Sequence, residues 1–189
     1  MILMRHGESE FNVVYKKTRV DPGIRDPKLT DTGQRQVAAA LAYLDGRRIR
    51  RVLTSPYTRA LQTAAIVAQA LGVDIDVDPR IGERSAFVCD LGTPGSALRQ
   101  NWPQLRLDHI EETWWPTPVE TEEALDARCQ RFRAEQSLAE TWQETLVVSH
   151  WGFIRGLTGH TVGNAQLVTF DPRDAHPGGG DIVPMEIPC

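Results

Sequence analysis

Three short apolar runs each break off into a polar turn that carries arginine or histidine. Leu3-Met4 ends in Arg5-His6-Gly7. Val52-Leu53 leads into Thr54-Ser55-Pro56-Tyr57-Thr58-Arg59, and Leu146-Val147-Val148 leads into Ser149-His150-Trp151-Gly152. Such runs, alternating with segments of helical periodicity, predict an α/β fold with a mostly parallel sheet. Ligands of open parallel sheets bind beyond the carboxyl ends of the strands. Strand ends carrying Arg, His, Arg and His therefore predict one basic pocket, suited to a compact anion such as phosphate.

The segments between these strands fill in the pattern. After a strand at residues 1–5, the stretch through Asp21-Pro22-Gly23 and Asp26-Pro27 reads as a polar loop. Its Lys16, Lys17, Arg19 and Arg25 form either a solvated basic face or a rim that captures substrate. Asp31 with Gln34 resembles a capping box, and Val37, Ala40, Leu41 and Leu44 continue at helical spacing until Gly46. Ser55 at N-cap and Pro56 at N1 predict the start of the next helix, with Leu61, Ala64, Ala65, Ala68 and Leu71 as its buried stripe. Val73–Val77 alternates like a half-exposed strand. Residues 79–119 are irregular and rich in Gly, Pro (through Pro118) and Trp, as an insertion packed over the strand ends would be, with a short helix at about Ser96–Asn101. Thr121 caps a long helix through about Trp142 whose Leu125, Cys129 and Phe132 face inward. A helix through about Leu157 follows His150, and Leu167–Phe170 reads as the last strand. The Gly- and Pro-rich tail, 171–189, is expected to be mobile or loosely laid on the surface. The expected organisation is one domain over 1–170, with a cap-like insertion at about 79–119.

A net charge of −4 and a pI near 5.7 argue against nucleic acid or an anionic membrane as partner, so the basic pocket must be local. No apolar stretch has the length of a membrane span, and the chain enters its first strand at once, which makes the cytoplasm the expected location. Cys89, Cys129 and Cys189 have no disulfide or zinc spacing. Cys129 belongs to a core-facing stripe, whereas Cys89 is either buried or a partly exposed thiol beside the pocket.

Phosphoryl transfer needs fixed positive charge and donors on the equatorial oxygens. Arg5 and Arg59 can supply bidentate guanidiniums, Arg59 from the first turn of a helix whose N-terminus adds its own partial charge. Gly7 would let a phosphate approach the backbone closely. His6, between Arg5 and Gly7, is the candidate nucleophile, since a neutral imidazole can attack with one nitrogen while the other is held by a carbonyl. His150 is a second donor. Nearby arginines would lower its pKa and a bound phosphate would raise it, so its charge stays open. Glu83 is the best-placed acid for the leaving group, with Glu8 and Glu10 as rivals.

Other chemistries lack their parts. Ser149-His150 has no Gly-x-Ser-x-Gly elbow, His6-Gly7-Glu8 has no Pro-Cys-x-x-Cys, and neither a P-loop nor metal-ligand spacing is present.

Taken together, these blocks resemble the histidine phosphatase superfamily, the phosphoglycerate mutase-like family. The resemblance runs through Leu3-Met4-Arg5-His6-Gly7-Glu8-Ser9 with Asn12, then Leu29–Gln34, Thr54-Ser55-Pro56 with Arg59-Ala60 and Gln62-Thr63-Ala64, and Val147-Val148-Ser149-His150 with Gly152 and Arg155. It implies a three-layer α/β/α sandwich and catalysis without a metal or other cofactor. It implies phosphorylation of His6, a phosphate pocket of Arg5, Arg59 and His150 assisted by Ser9 and Asn12, and Glu83 as acid and base. Trp151 stands where the family usually has glycine, before Gly152; it either narrows the pocket and stacks on the leaving group or packs on the sheet. The arginine-rich segment that mutases of the family carry after the acid is reduced to Arg84, with isolated Arg99 and Arg106. These departures favour a phosphomonoesterase acting on a small phosphorylated metabolite, as a monomer or homodimer. A phosphoglycerate mutase and a catalytically silent phospho-ligand-binding module are the alternatives.

Overall fold

Successive side chains of a strand face opposite sides of its sheet, so a fully apolar strand needs cover on both faces. The computed structural model, which describes residues 1–116 and 119–186, shows that cover. Pro118 and Cys189 lie outside the described residues.

The sheet is built from β1 (Ile2–Arg5), β2 (Arg51–Thr54), β3 (Asp74–Val77), β4 (Thr145–Ser149), β5 (Leu167–Phe170) and β6 (Gly180–Ile182), in the order β3-β2-β4-β1-β5-β6. The first four in that order are parallel, and β5 runs antiparallel to both β1 and β6. The described α-helices are α1 (Glu10–Thr18), α2 (Asp31–Ala40), α3 (Thr58–Leu71), α4 (Gly95–Asn101), α5 (Glu122–Leu138) and α6 (Trp151–Thr158). None is long and apolar enough to cross a membrane.

Ile2, Met4, Val52, Leu146 and Val148 pack on Val37 and Ala40 of α2 and on Ala60, Ala64 and Val67 of α3. The alternate residues Leu3, Leu53 and Val147 pack on Leu125, Cys129 and Phe132 of α5 and on Phe153, Ile154 and Leu157 of α6. These two cores are the outer joints of a three-layer α/β/α sandwich. Each large side chain in them contributes about 1.5–3 kcal/mol of burial.

Several local expectations are corrected. The stretch read as a loop after β1 contains α1, whose N-cap is Ser9. Its backbone N–H donates to Asn12 Oδ1 at 3.0 Å. In α2 the cap is Thr30, one residue earlier than Asp31, with Gly33 N–H on its hydroxyl at 2.9 Å. That helix gives way to a 3₁₀ turn over Leu41–Leu44 before Gly46 (φ +71°). In α3 the cap is Tyr57 rather than Ser55, because Ser55 is drawn into another contact and Asp26 supplies the capping oxygen from outside: Thr58 N–H donates to its Oδ1 at 2.9 Å. The helix capped by Thr121 stops at Leu138, short of Trp142.

The tail also differs from its expectation, since it adds the edge strand β6. Arg133 from α5 fastens the preceding turn through the carbonyls of Asp174 (2.8 Å) and Gly178 (2.6 Å).

Candidate active site

Parallel pairing of Arg5 with Ser149 and of Thr54 with Val148 brings the ends of β1, β2 and β4 level. His6 and His150, the next residues, stand side by side with ring centroids 5.2 Å apart. Both are buried, His6 at 3% exposure and His150 at 0%. The backbone of His6 is fixed by its N–H on Ser149 O (3.0 Å) and by Ala165 N–H on its carbonyl (3.2 Å).

His6 Nδ1 lies 2.7 Å from Gly7 O. A carbonyl only accepts, so Nδ1 carries the proton and Nε2 keeps its lone pair. Burial, then the charges of Arg59 and Arg5, push the His6 pKa well below the usual histidine range. The result is an uncharged imidazole with a free nitrogen among fixed cations.

The same causes, burial first and then Arg59, hold His150 neutral. Its Nε2 lies 2.6 Å from Ser55 Oγ, while Nδ1 is buried without a partner. With the hydroxyl donating, the ring proton sits on Nδ1. Arg5 donates from Nη1 to Val162 O at 2.8 Å, and its Nε is buried and unpartnered. Burial lowers the Arg5 pKa to about 10, still far above neutrality. Arg59 is anchored by Cys89 O (3.0 Å), Asp90 Oδ1 (3.2 Å) and the face of Tyr57, 4.5 Å from its guanidinium carbon.

Glu83 faces these cations from the start of the 79–119 segment. Its Oε1 accepts the N–H of Gly152 (2.7 Å) and of Arg84 (3.0 Å). Burial, then repulsion from Asp90, raises its pKa, although Arg59 and Arg5 oppose the rise. The ensemble can receive an anion, attack it with a neutral nitrogen and supply a proton.

A profile described as the histidine phosphatase superfamily (branch 1) matches residues 1–177. The chain belongs to the histidine phosphatase superfamily. It is 32% identical over 152 residues to the "Bifunctional protein Rv2228c" of Mycobacterium tuberculosis, covering 79% of this chain and 40% of that one. It thus spans less than half the length of that relative. It is 30% identical over 167 residues to a "Probable phosphoglycerate mutase GpmB" of Erwinia tasmaniensis, covering 85% of this chain and 73% of the relative. Among solved structures, a mycobacterial glucosyl-3-phosphoglycerate phosphatase complexed with VO3 shares the fold with a TM-score of 0.64 at 22% identity, covering 96% of each chain.

In this member of the superfamily several residues expected at the pocket have other contacts. A Cβ on Gly7 would lie 2.5 Å from Gly33 O, so this glycine permits the close approach of the turn after β1 to α2. Ser9 and Asn12 form the α1 cap. Asn164 Nδ2 bridges Asn12 Oδ1 (3.1 Å) to His6 O (3.2 Å), so the cap braces the His6 backbone. At Gly152 a Cβ would meet Glu83 Oε1, which explains why glycine follows Trp151. Trp151 is not part of the core packed on the sheet; it is partly exposed, at 36%, with Arg155 5.2 Å over its ring. Arg84 is spent on Glu120 O (3.0 Å) and Glu122 (3.2 Å). Arg99 is spent on the carbonyls of Leu107 and Ile110. Arg106 is exposed beside Asp76. Arg25, expected in a basic face or rim, anchors Gly92 O at 2.9 Å and covers Trp115. Glu8 accepts from Thr30 Oγ1 (2.9 Å) and Glu10 from Lys28 N–H (3.1 Å). Cys89 is buried, with its thiol pKa pushed up first by burial and then by Asp90.

Sequence reasoning missed four contributors. Ser55 and Asp90 hold His150 and Arg59, and Asn164 braces His6. Arg128 grips the backbone leading to Glu83 through Arg80 O (2.6 Å) and Gly82 O (2.9 Å). Ser55 reads only as a helix cap, Asp90 and Arg128 stand beside the singled-out Cys89 and Cys129, and nothing in their spacing points to His150, Arg59 or Glu83.

Proposed function

We propose that this chain is a phosphomonoesterase that works through a phosphohistidine on His6. The observation that carries this reading is the state of the His6 ring: Nδ1–H is committed to Gly7 O and Nε2 is unprotonated, beside Arg5, Arg59 and His150. The buried, unpartnered Arg5 Nε and His150 Nδ1 are donors of the kind an oxyanion takes up.

In the first step His6 Nε2 bonds to phosphorus and the ester P–O bond breaks, while Glu83 gives its proton to the departing oxygen. In the second, the Glu83 carboxylate takes a proton from water, whose oxygen bonds to phosphorus and releases His6 and inorganic phosphate. Burial and Asp90 favour the protonated Glu83 that the first step requires. In this reading the two guanidiniums supply the positive charge that faces the phosphoryl oxygens.

Hydrolysis is favoured over mutase-type transfer by the state of the surrounding arginines. Arg25, Arg84 and Arg99 are turned onto carbonyls or carboxylates of the chain, and unlike Arg5 none of them presents a buried, unpartnered N–H that would hold a second anionic group of a substrate. The substrate is then a small monoester, and a cytoplasmic location suits such a metabolite.

A phosphate-release screen over phosphorylated metabolites, run in EDTA and repeated with bisphosphoglycerate-primed 3-phosphoglycerate, tests the assignment. Release from at least one monoester is expected. Interconversion of phosphoglycerates without release would overturn it in favour of a mutase, and no phosphoenzyme at all would leave a binding module.

A further inference from the structure

Arg59 is gripped with more apparatus than a salt bridge needs. A guanidinium has five N–H donors. One goes to Cys89 O and one to Asp90 Oδ1, and the ring of Tyr57 covers a face of the plane. The remaining N–H groups have no partner among the described residues. Tyr57 is itself locked by its hydroxyl on Asp90 O at 2.8 Å.

The Asp90 carboxylate is equally constrained. Oδ1 receives Arg59 Nη2 (3.2 Å) and Cys89 Sγ (3.3 Å), and Oδ2 receives the backbone N–H of Ala86 (3.1 Å) and Phe87 (3.0 Å). Donors thus converge on both oxygens, a demand that a carboxylate meets and an amide does not. The loop that carries Asp90 is fixed in turn. Phe87 packs on Phe11 and Tyr15 of α1, with ring centroids 5.6 and 5.3 Å away, and Val88 N–H donates to Asp21 Oδ2 at 2.8 Å. Loop, carboxylate and guanidinium form one chain of contacts that ends at the cation beside His6.

We propose that Asp90 is a positioning residue for Arg59: held from behind by the Ala86 and Phe87 amides, its carboxylate fixes the guanidinium so that the unspent N–H groups face the phosphoryl group at His6. This rests on the phosphatase reading for its purpose but not for its test. Removing the carboxylate has two opposed effects. It takes a negative charge away from the pocket, which alone would tighten anion binding, and it frees the guanidinium to turn, which weakens binding. The proposal commits to the second as the larger.

The test is a double-mutant cycle read by calorimetry with inorganic phosphate and by kcat/KM on an aryl phosphate. Asp90→Asn is expected to raise the phosphate Kd by about tenfold, the loss of one well-aimed charge-assisted contact. In the Arg59→Ala background the same substitution should no longer weaken binding, since its target is gone and only the loss of negative charge, which tightens it, is left. Unchanged or tighter phosphate binding by Asp90→Asn, or the full loss persisting without Arg59, overturns the proposal. Should Asp90→Asn not fold, the wild-type chain still decides. Arg59 must then show separate, slowly exchanging Nη resonances by nitrogen NMR without ligand, and rapid averaging contradicts it. Phosphate binding that follows the cycle in a chain that hydrolyses no ester would sink the phosphatase reading and leave Asp90 its role.

Discussion

Ser55 Oγ lies 2.6 Å from His150 Nε2, with both side chains fully buried, and this contact ties the end of β2 to the end of β4. It sets the rotation of the His150 ring and so directs Nδ1. Ser55→Ala leaves a buried ring nitrogen unsatisfied and is expected to cost about 1–3 kcal/mol. Urea unfolding measures this; stability equal to the wild type would show that the contact does not hold the ring.

Glu83 owes its place to a residue without a side chain. Glu83→Gln should reduce turnover of alkyl phosphates strongly while sparing aryl phosphates whose leaving groups need no proton. Gly152→Ala should reproduce that selectivity, because its Cβ would displace the Glu83 carboxyl. A Gly152→Ala enzyme with equal losses on both substrate types would break the link between the two positions.

Acid should weaken the fold. His6 and His150 are held neutral in the folded chain, whereas unfolded histidines protonate near pH 6.5. Below that pH the unfolded chain binds more protons, and stability falls with decreasing pH by up to about 2.7 kcal/mol per unit for the pair. Glu83 acts in the opposite sense: its raised pKa favours the folded state most below about pH 4.5, and that contribution is lost as pH rises through its folded value. Two histidines outweigh one carboxyl, so the urea midpoint should drop between pH 7 and 5.5. The drop should flatten in His6→Asn/His150→Asn, and a midpoint that rises on acidification contradicts the buried neutral pair.

The candidate site was legible where strand ends carry its chemistry. His6, His150 and Arg59 follow apolar runs whose pairing the fold dictates, and Glu83 could be placed by family resemblance and by its position after β3. What escaped was whatever depends on distant partners. Ser55-Pro56 has the local signature of a helix start, but His150 takes the serine hydroxyl and Asp26 caps α3 from the preceding loop, holding Thr93 as well through its Oδ2. The helix α1 was hidden because its only buried residue is Phe11, which leaves no apolar stripe to read. The strand β6 was hidden for a similar reason: Gly180–Ile182 gains its order from β5, from His160 Nε2 on Gly180 O (2.6 Å) and from Arg133, none of which a glycine-rich tail announces.

The central claim is that His6 Nε2 takes the phosphoryl group. Incubation with a turned-over aryl phosphate, a rapid quench in base and peptide mass spectrometry test it most directly. The account predicts a base-stable, acid-labile phosphate on His6 that vanishes in His6→Ala while the fold persists. Turnover with no phosphohistidine, or with the phosphate on another residue, would contradict it.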